Sequence, residues 1–158
     1  MSVLKVKRLN EKARLPPKKS TSRCLRLPER ATAGSAGYDL RACIEQPMVI
    51  EPGQVQKIPT GLAIELADEH HVALIFARSS MGVKHGVCPA NAVGVVDSDY
   101  RGEVCIFLRN YSDAPYTVQP QDRVAQLLVM PVALPEVQEV EQLSDTVRGE
   151  GGFGSTGK

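Results

Sequence analysis

The densest polar cluster outside the C-terminal tail is Asp97-Ser98-Asp99-Tyr100-Arg101-Gly102. It interrupts an apolar approach, Ala92-Val93-Gly94-Val95-Val96, and runs into the apolar stretch EVCIFL from Glu103 to Leu108. That pattern predicts a hairpin with its acids at or near the tip. A carboxylate held there beside a reacting phosphorus could take a proton from water, a contribution of about 10² to 10⁴ in rate. Asp and Ser are also ordinary turn residues, so a solvated turn is the competing reading.

Phosphate chemistry needs cations and aimed donors as well as a base. Ala77-Arg78-Ser79-Ser80-Met81-Gly82 follows an alternating run and is placed to open a short helix. A cation and free amides at such a position favour phosphate, although Ser79 and Ser80 would also serve as a plain N-cap. Gly37-Tyr38-Asp39-Leu40-Arg41-Ala42 sets an acid between apolar neighbours. Arg123 precedes the run VAQLLVM, and Gln126 interrupts it; a polar side chain inside such a strand needs a partner.

The tail Arg148 to Lys158, RGEGGFGSTGK, holds five of the thirteen glycines and one of the three phenylalanines. So many glycines lose too much backbone entropy to form a helix or strand interior unaided. Yet the tail carries a cation (Arg148), an aromatic ring (Phe153) and two hydroxyls (Ser155, Thr156). Those groups suit a nucleotide clamp, set against the simpler reading of a frayed terminus. Gly152, Gly154 and Gly157 satisfy G-x-G-x-x-G, but that fingerprint requires a helix after the last glycine, and the sequence offers none. The P-loop pattern fails too, because no Ser or Thr follows Lys158.

These groups must be positioned by strands. Leu4 and Val6 alternate with lysines, Leu62, Ile64 and Leu66 with Ala63 and Glu65, and Val72, Leu74 and Phe76 keep the same period of two. Glu51-Pro52-Gly53-Gln54 is placed for a type II turn, and Gln119-Pro120-Gln121-Asp122 supplies another. The expectation is an all-β fold, a distorted jelly roll or barrel-like arrangement with at most one short helix after Ser79-Ser80. One domain spans residues 1–147, with 10–26 a loose basic loop and 148–158 a flexible glycine-rich tail acting as a lid. EVCIFL and most of VAQLLVM are apolar on both faces, so one face of each meets another subunit or crosses a sandwich core.

The 158 residues carry 19 Lys and Arg against 18 Asp and Glu, a net charge of +1, which gives no reason to expect a nucleic-acid partner. The four cysteines (24, 43, 88 and 105) are scattered, and with only three histidines a zinc site is not expected. Cys43 and Cys105 lie in apolar runs, where a thiol behaves as a small hydrophobe. No signal peptide or stretch of transmembrane length is recognisable, so no membrane partner is expected and a reducing cytoplasm fits best.

Taken together, AGYDLRA (36–42), ARSSMG (77–82), NAVGVVDSDYRGEV (91–104), RVAQLL (123–128) and RGEGGFGSTG (148–157) resemble, in order and spacing, the five motifs of the homotrimeric dUTPases. The likeness runs from about Leu27 to the C-terminus. It implies a jelly-roll fold and hydrolysis of dUTP to dUMP and pyrophosphate with Mg²⁺, which limits uracil in DNA and supplies dUMP for dTMP synthesis. By motif position, the resemblance makes Asp97 the general base for attack on the α-phosphorus. Tyr100 would lie against the deoxyribose, and Asn91 with the backbone at Val95 and Val96 would read uracil, with a further backbone contact at Cys105.

Arg78, Ser79 and Ser80 would bind phosphates, with Gln126 near the α-phosphate. Asp39 would act through water on the magnesium or by holding Arg148. Arg148, Gly154, Ser155 and Thr156 would belong to the lid, with Phe153 stacked on uracil. The family's sites lie between the subunits of a homotrimer. Ala77 and Ser80 stand where Pro and Gly are common, and the segment from about Asn10 to Arg26 is longer than the family's usual entry. The related dCTP deaminases carry a catalytic glutamate at the position of Phe107, which cannot shuttle protons; a non-catalytic binding module would be expected to lack Asp97 or the tail.

Overall fold

The computed structural model describes residues 3–9 and 26–152. Among them are eleven strands: β1 (Lys5–Arg8), β2 (Tyr38–Arg41), β3 (Met48–Ile50), β4 (Val55–Pro59), β5 (Leu62–Glu65), β6 (His71–Phe76), β7 (Val87–Pro89), β8 (Gly94–Val96), β9 (Cys105–Asn110), β10 (Tyr116–Val118) and β11 (Arg123–Pro131). The single short helix, α1 (Ser79–His85), stands where the sequence places it. The strands pair antiparallel into a four-stranded sheet, β2-β11-β6-β8, a three-stranded sheet, β4-β9-β7, and the ribbons β1-β5 and β10-β3. The sheets do not close into a barrel.

The turns follow from their residues. Gly53 takes φ of 77°, which the third position of a type II turn requires, and Gln54 N–H closes that turn on Glu51 O at 3.0 Å. The equivalent turn before β11 has Gln121, not glycine, at φ of 72°, with Asp122 N–H bonded to Gln119 O. Helix α1 ends at Gly86 in the left-handed conformation, its N–H returning to Met81 O.

Leu40, Ile50, Ile58, Leu62, Ile106, Leu108, Val118, Val124 and Leu127 are each no more than 2% exposed and form the core. Each such side chain contributes about 1.5–3 kcal/mol by leaving water. Asn110, fully buried among them, is satisfied: its Nδ2 donates to Ile50 O and Ala114 O, and its Oδ1 accepts from Ser112 N and Oγ.

On β9, Ile106, Leu108 and Asn110 turn inward, while Phe107 on the other face is 49% exposed in the single chain. One expectation is corrected here: β5 does not alternate, because Leu62, Ala63 and Ile64 are all buried. Beyond β11 the chain leaves the body, and residues 133–150 are exposed throughout, including Leu134, Val137, Val140, Leu143 and Val147.

Candidate functional site

The segment 97–104 is not a hairpin loop. β8 pairs with β6, whereas β9 pairs with β4 and β7, so the polar segment crosses from one sheet to the other. Eight residues give enough chain for that crossing, and periodicity does not reveal which sheet a strand joins. A turn in which Tyr100 N–H bonds to Asp97 O folds the segment back. The gap so formed is a cavity of about 360 Å³ lined by Asn91, Val95, Val96, Asp97, Tyr100 and Cys105, six of the residues singled out by sequence. Lys57, Ile75, Gly94, Glu103, Val104 and Phe107 complete its wall.

Tyr100 lies across this cavity with its hydroxyl donating to Glu103 O at 3.0 Å. Glu103 is itself held, its Oε1 accepting from Gly61 N–H at 2.7 Å. Val104 N–H bonds to Leu62 O at 2.8 Å, so the cavity's floor is tied to β5. Cys105 was expected to pack as a core hydrophobe. Instead it faces the cavity half-buried, its thiol pushed above the usual range by burial first and by the Glu103 carboxylate second.

A second cluster is built on β2, β11 and the end of β6. Asp39 is almost fully buried, and both its oxygens accept from guanidinium groups: Oδ1 from Arg78 Nε at 3.1 Å, Oδ2 from Arg123 Nη1 at 3.0 Å. Arg78 Nη1 also reaches Ser80 Oγ and Arg123 O, each at 3.4 Å. Two cations clamped by one carboxylate leave net positive charge, which suits phosphate oxygens. The N-cap of α1 is Arg78 with no side-chain cap, so Ser79 and Ser80 are helical residues and do not act as caps.

The strand register explains why these side chains share a face. Gln126 stands opposite Asp39 on β2 and Phe76 on β6, so all three point to the same side of the sheet. Arg123 and Gln126, three residues apart, would face opposite sides of a regular strand. A bulge between Arg123 and Ala125 shifts the register, leaving Arg123 opposite Arg41 and therefore beside Asp39. Val124 and Ala125 are both buried at that point. Gly37 sits tightly here: a Cβ would meet Leu128 Cδ1 at 3.2 Å and Gln126 Cβ at 3.3 Å, so those side chains would have to yield slightly.

The two clusters do not meet within the chain. Val96 stands opposite Ala73, so Asp97 lies toward the start of β6, whereas Arg78 follows its far end. Five residues of extended chain from Ala73 to Arg78 span about 17 Å. Asp39 and Asp97 also belong to opposite edges of the four-stranded sheet, about 14 Å apart across three strand spacings.

Within the chain, Arg148 Nε donates to Gly151 O at 2.7 Å. Phe153, Gly154, Ser155, Thr156 and Cys24 lie outside the described residues, as does the basic segment up to residue 25. No group of three or more His, Cys, Asp or Glu among the described residues is arranged to hold a metal ion.

Sequence reasoning named Asp39 and Arg123 separately but missed their ion pair, which joins residues 84 apart. It also missed Lys57 as a cavity residue; the signal was its outward position on β4 opposite Phe107.

The dUTPase family model matches residues 24–157. A deoxyuridine 5'-triphosphate nucleotidohydrolase of Idiomarina loihiensis is 51% identical over 132 residues, covering 84% of this chain and 87% of the relative. Its counterpart from Paraburkholderia phymatum is also 51% identical, covering 84% and 89%. Among solved structures, Staphylococcus bacteriophage 80alpha dUTPase with dUPNHPP superposes with a TM-score of 0.83 at 27% identity, covering 99% of both chains. With matching motifs, fold and relatives over most of its length, the chain belongs to the dUTPase family.

Proposed function

We propose that this chain hydrolyses dUTP to dUMP and pyrophosphate in sites formed between the subunits of a homotrimer. The observation that carries the reading is the cavity where Asp97 and Tyr100 face Asn91, Val95 and Val96. Asp97 takes the proton of a water that attacks the α-phosphorus, and pyrophosphate departs. The Tyr100 ring packs against the deoxyribose and leaves no room for a 2′-hydroxyl. Asn91 and the backbone at Val95, Val96 and Cys105 read the uracil edge, and the narrow cavity rejects a 5-methyl group.

Arg78, Ser79, Ser80 and Gln126 hold the phosphates, and Arg148, Ser155 and Thr156 close over them with Phe153 on the base and Gly154 between them. These lid roles for residues 148–158, beside a body of residues 1–147, rest on the motif likeness. The separation of Asp97 from Arg78 within one protomer supports assembly, because one phosphate chain cannot engage both ends of β6. The exposed apolar side chains Val55, Val95 and Phe107, and the fully exposed arm beyond β11, supply surface for it.

The donor set fits a magnesium ion that arrives with the triphosphate. The described residues build no carboxylate cage, and Mg²⁺ takes much of its coordination from phosphates and water. Asp39, which pairs with both arginines of the phosphate cluster, would act through water while holding Arg78 and Arg123. When bound, the ion offsets the charge of the departing pyrophosphate.

A substrate panel tests the reading. Purified protein with Mg²⁺ is given dUTP, dTTP, dCTP and UTP while pyrophosphate and ammonia are measured. Pyrophosphate from dUTP alone is expected; ammonia from dCTP, or no turnover, sinks the proposal.

A further inference from the structure

Tyr100 is folded back over Gly102. A Cβ built on Gly102 would meet the Tyr100 hydroxyl oxygen directly, with Cζ at 2.6 Å and Cε2 at 2.9 Å; its three nearest neighbours all belong to that one ring. Real Cβ atoms do not approach so closely, so a side chain at 102 and the ring cannot both keep their places. The backbone imposes no such demand, because Gly102 is not among the positive-φ glycines of the described residues, which are 53, 61, 86 and 149. Glycine is needed here for space and not for conformation.

The same hydroxyl donates to Glu103 O at 3.0 Å, and Glu103 is tied to Gly61 N–H. The ring is therefore seated on bare backbone and pinned at its tip. The ring is otherwise open to solvent, since Tyr100 is 45% exposed.

We infer that Gly102 is a positioning residue for sugar selectivity, because its missing side chain is the seat that holds the Tyr100 ring where a 2′-hydroxyl would otherwise fit. The inference rests on the proposed dUTPase reading and adds a residue to it. A methyl group at 102 lifts the ring, lengthens its bond to Glu103 O and opens the cavity beside the sugar. The base-reading groups on β8 and the carboxylate of Asp97 keep their places.

The test compares kcat/KM for dUTP and UTP in the wild type, Gly102→Ala, Tyr100→Ala and the double variant. Gly102→Ala is expected to lower the dUTP:UTP preference by roughly tenfold, chiefly through higher UTP turnover. In the Tyr100→Ala background the same substitution is expected to change the preference by less than about twofold, because the ring it displaces is gone. An unchanged preference in folded Gly102→Ala overturns the inference, as does an equal effect in both backgrounds. If Gly102→Ala fails to fold, the double variant, which has no ring to clash, is expected to fold; its failure also overturns the inference. A wild type that leaves dUTP intact defeats the underlying reading, a result distinct from an active wild type whose preference ignores residue 102.

Discussion

Arg78 and Asp39, 39 residues apart in the chain, are joined by a 3.1 Å hydrogen bond from Nε to Oδ1 in a nearly buried pocket. Asp39 is nearly buried and its side chain is 10% exposed, while those of Arg78 and Arg123 are 18% and 43% exposed. Removing the carboxylate leaves two guanidinium groups facing each other without compensation. Asp39→Ala is therefore expected to cost about 2–3 kcal/mol, below the full penalty of a buried pair because Arg123 remains partly hydrated. Urea unfolding reads the stability, and kcat/KM for dUTP is expected to fall roughly tenfold or more as Arg78 loses its orientation. A stable variant with normal kinetics would show that the pair positions nothing.

Asp97→Asn keeps the size of the side chain and removes its basicity. Binding of a non-hydrolysable dUTP analogue is expected to stay within about threefold of wild type, while kcat falls by about 10² to 10⁴. Near-normal turnover would remove Asp97 from the role of base.

Gln121 holds φ of 72° without being glycine, and its Oε1 is buried with no hydrogen-bond partner. Both features are unfavourable, and the 3.4 Å contact from Nε2 to Ala42 O is weak compensation. Gln121→Gly is expected to stabilise the fold by about 1 kcal/mol, net of the extra chain entropy of glycine. Thermal unfolding should show a Tm about 2–4 °C higher. A lower Tm would mean that the glutamine side chain contributes packing that outweighs its strain.

Cys105 lines the Asp97–Tyr100 cavity with its thiol pKa raised, first by burial and then by Glu103. The folded state thus favours the neutral thiol: stability from this group is complete below the unfolded thiol's pKa and declines as pH rises past it. Alkylation by iodoacetamide, followed by peptide mapping, is expected to be slow at Cys105 near pH 7 and faster in alkali. Addition of a dUTP analogue with Mg²⁺ should slow it further. Equal labelling with and without the analogue would place the nucleotide elsewhere.

Ending the chain at Val147 removes Arg148 and the glycine-rich tail, and none of the eleven strands among the described residues. The folded body is expected to survive, with unfolding unchanged within about 0.5 kcal/mol. Turnover of dUTP should drop by about 10² or more, through loss of Arg148 and the stacking ring. Undiminished activity would restore the frayed-terminus reading.

Local features were legible in the sequence because local rules govern them. Pro52-Gly53 announces its turn, and a single short helix stands in the Ser79-Ser80 region, beginning at Ser79 itself. What escaped was partnership at a distance. The alternation around Asp97 marks two strands but cannot assign them to separate sheets, so the crossing was read as a hairpin. The Asp39–Arg123 pair depends on a register that no short window contains. Tyr100 and Gly102 stand close in sequence, yet their contact arises from the ring's rotamer and not from spacing.

The bulge in β11 makes sequence length at one point a chemical variable. Most single-residue insertions or deletions in a surface loop alter only the loop. Between Asp122 and Gln126, one residue more or fewer would turn Arg123 toward the core side while the rest of the strand kept its pairing. The outline of the fold would survive, and the carboxylate of Asp39 would lose one of its two cations. Over evolutionary time, then, substitutions in this stretch can be judged one side chain at a time, whereas a gap there rewrites the site's charge.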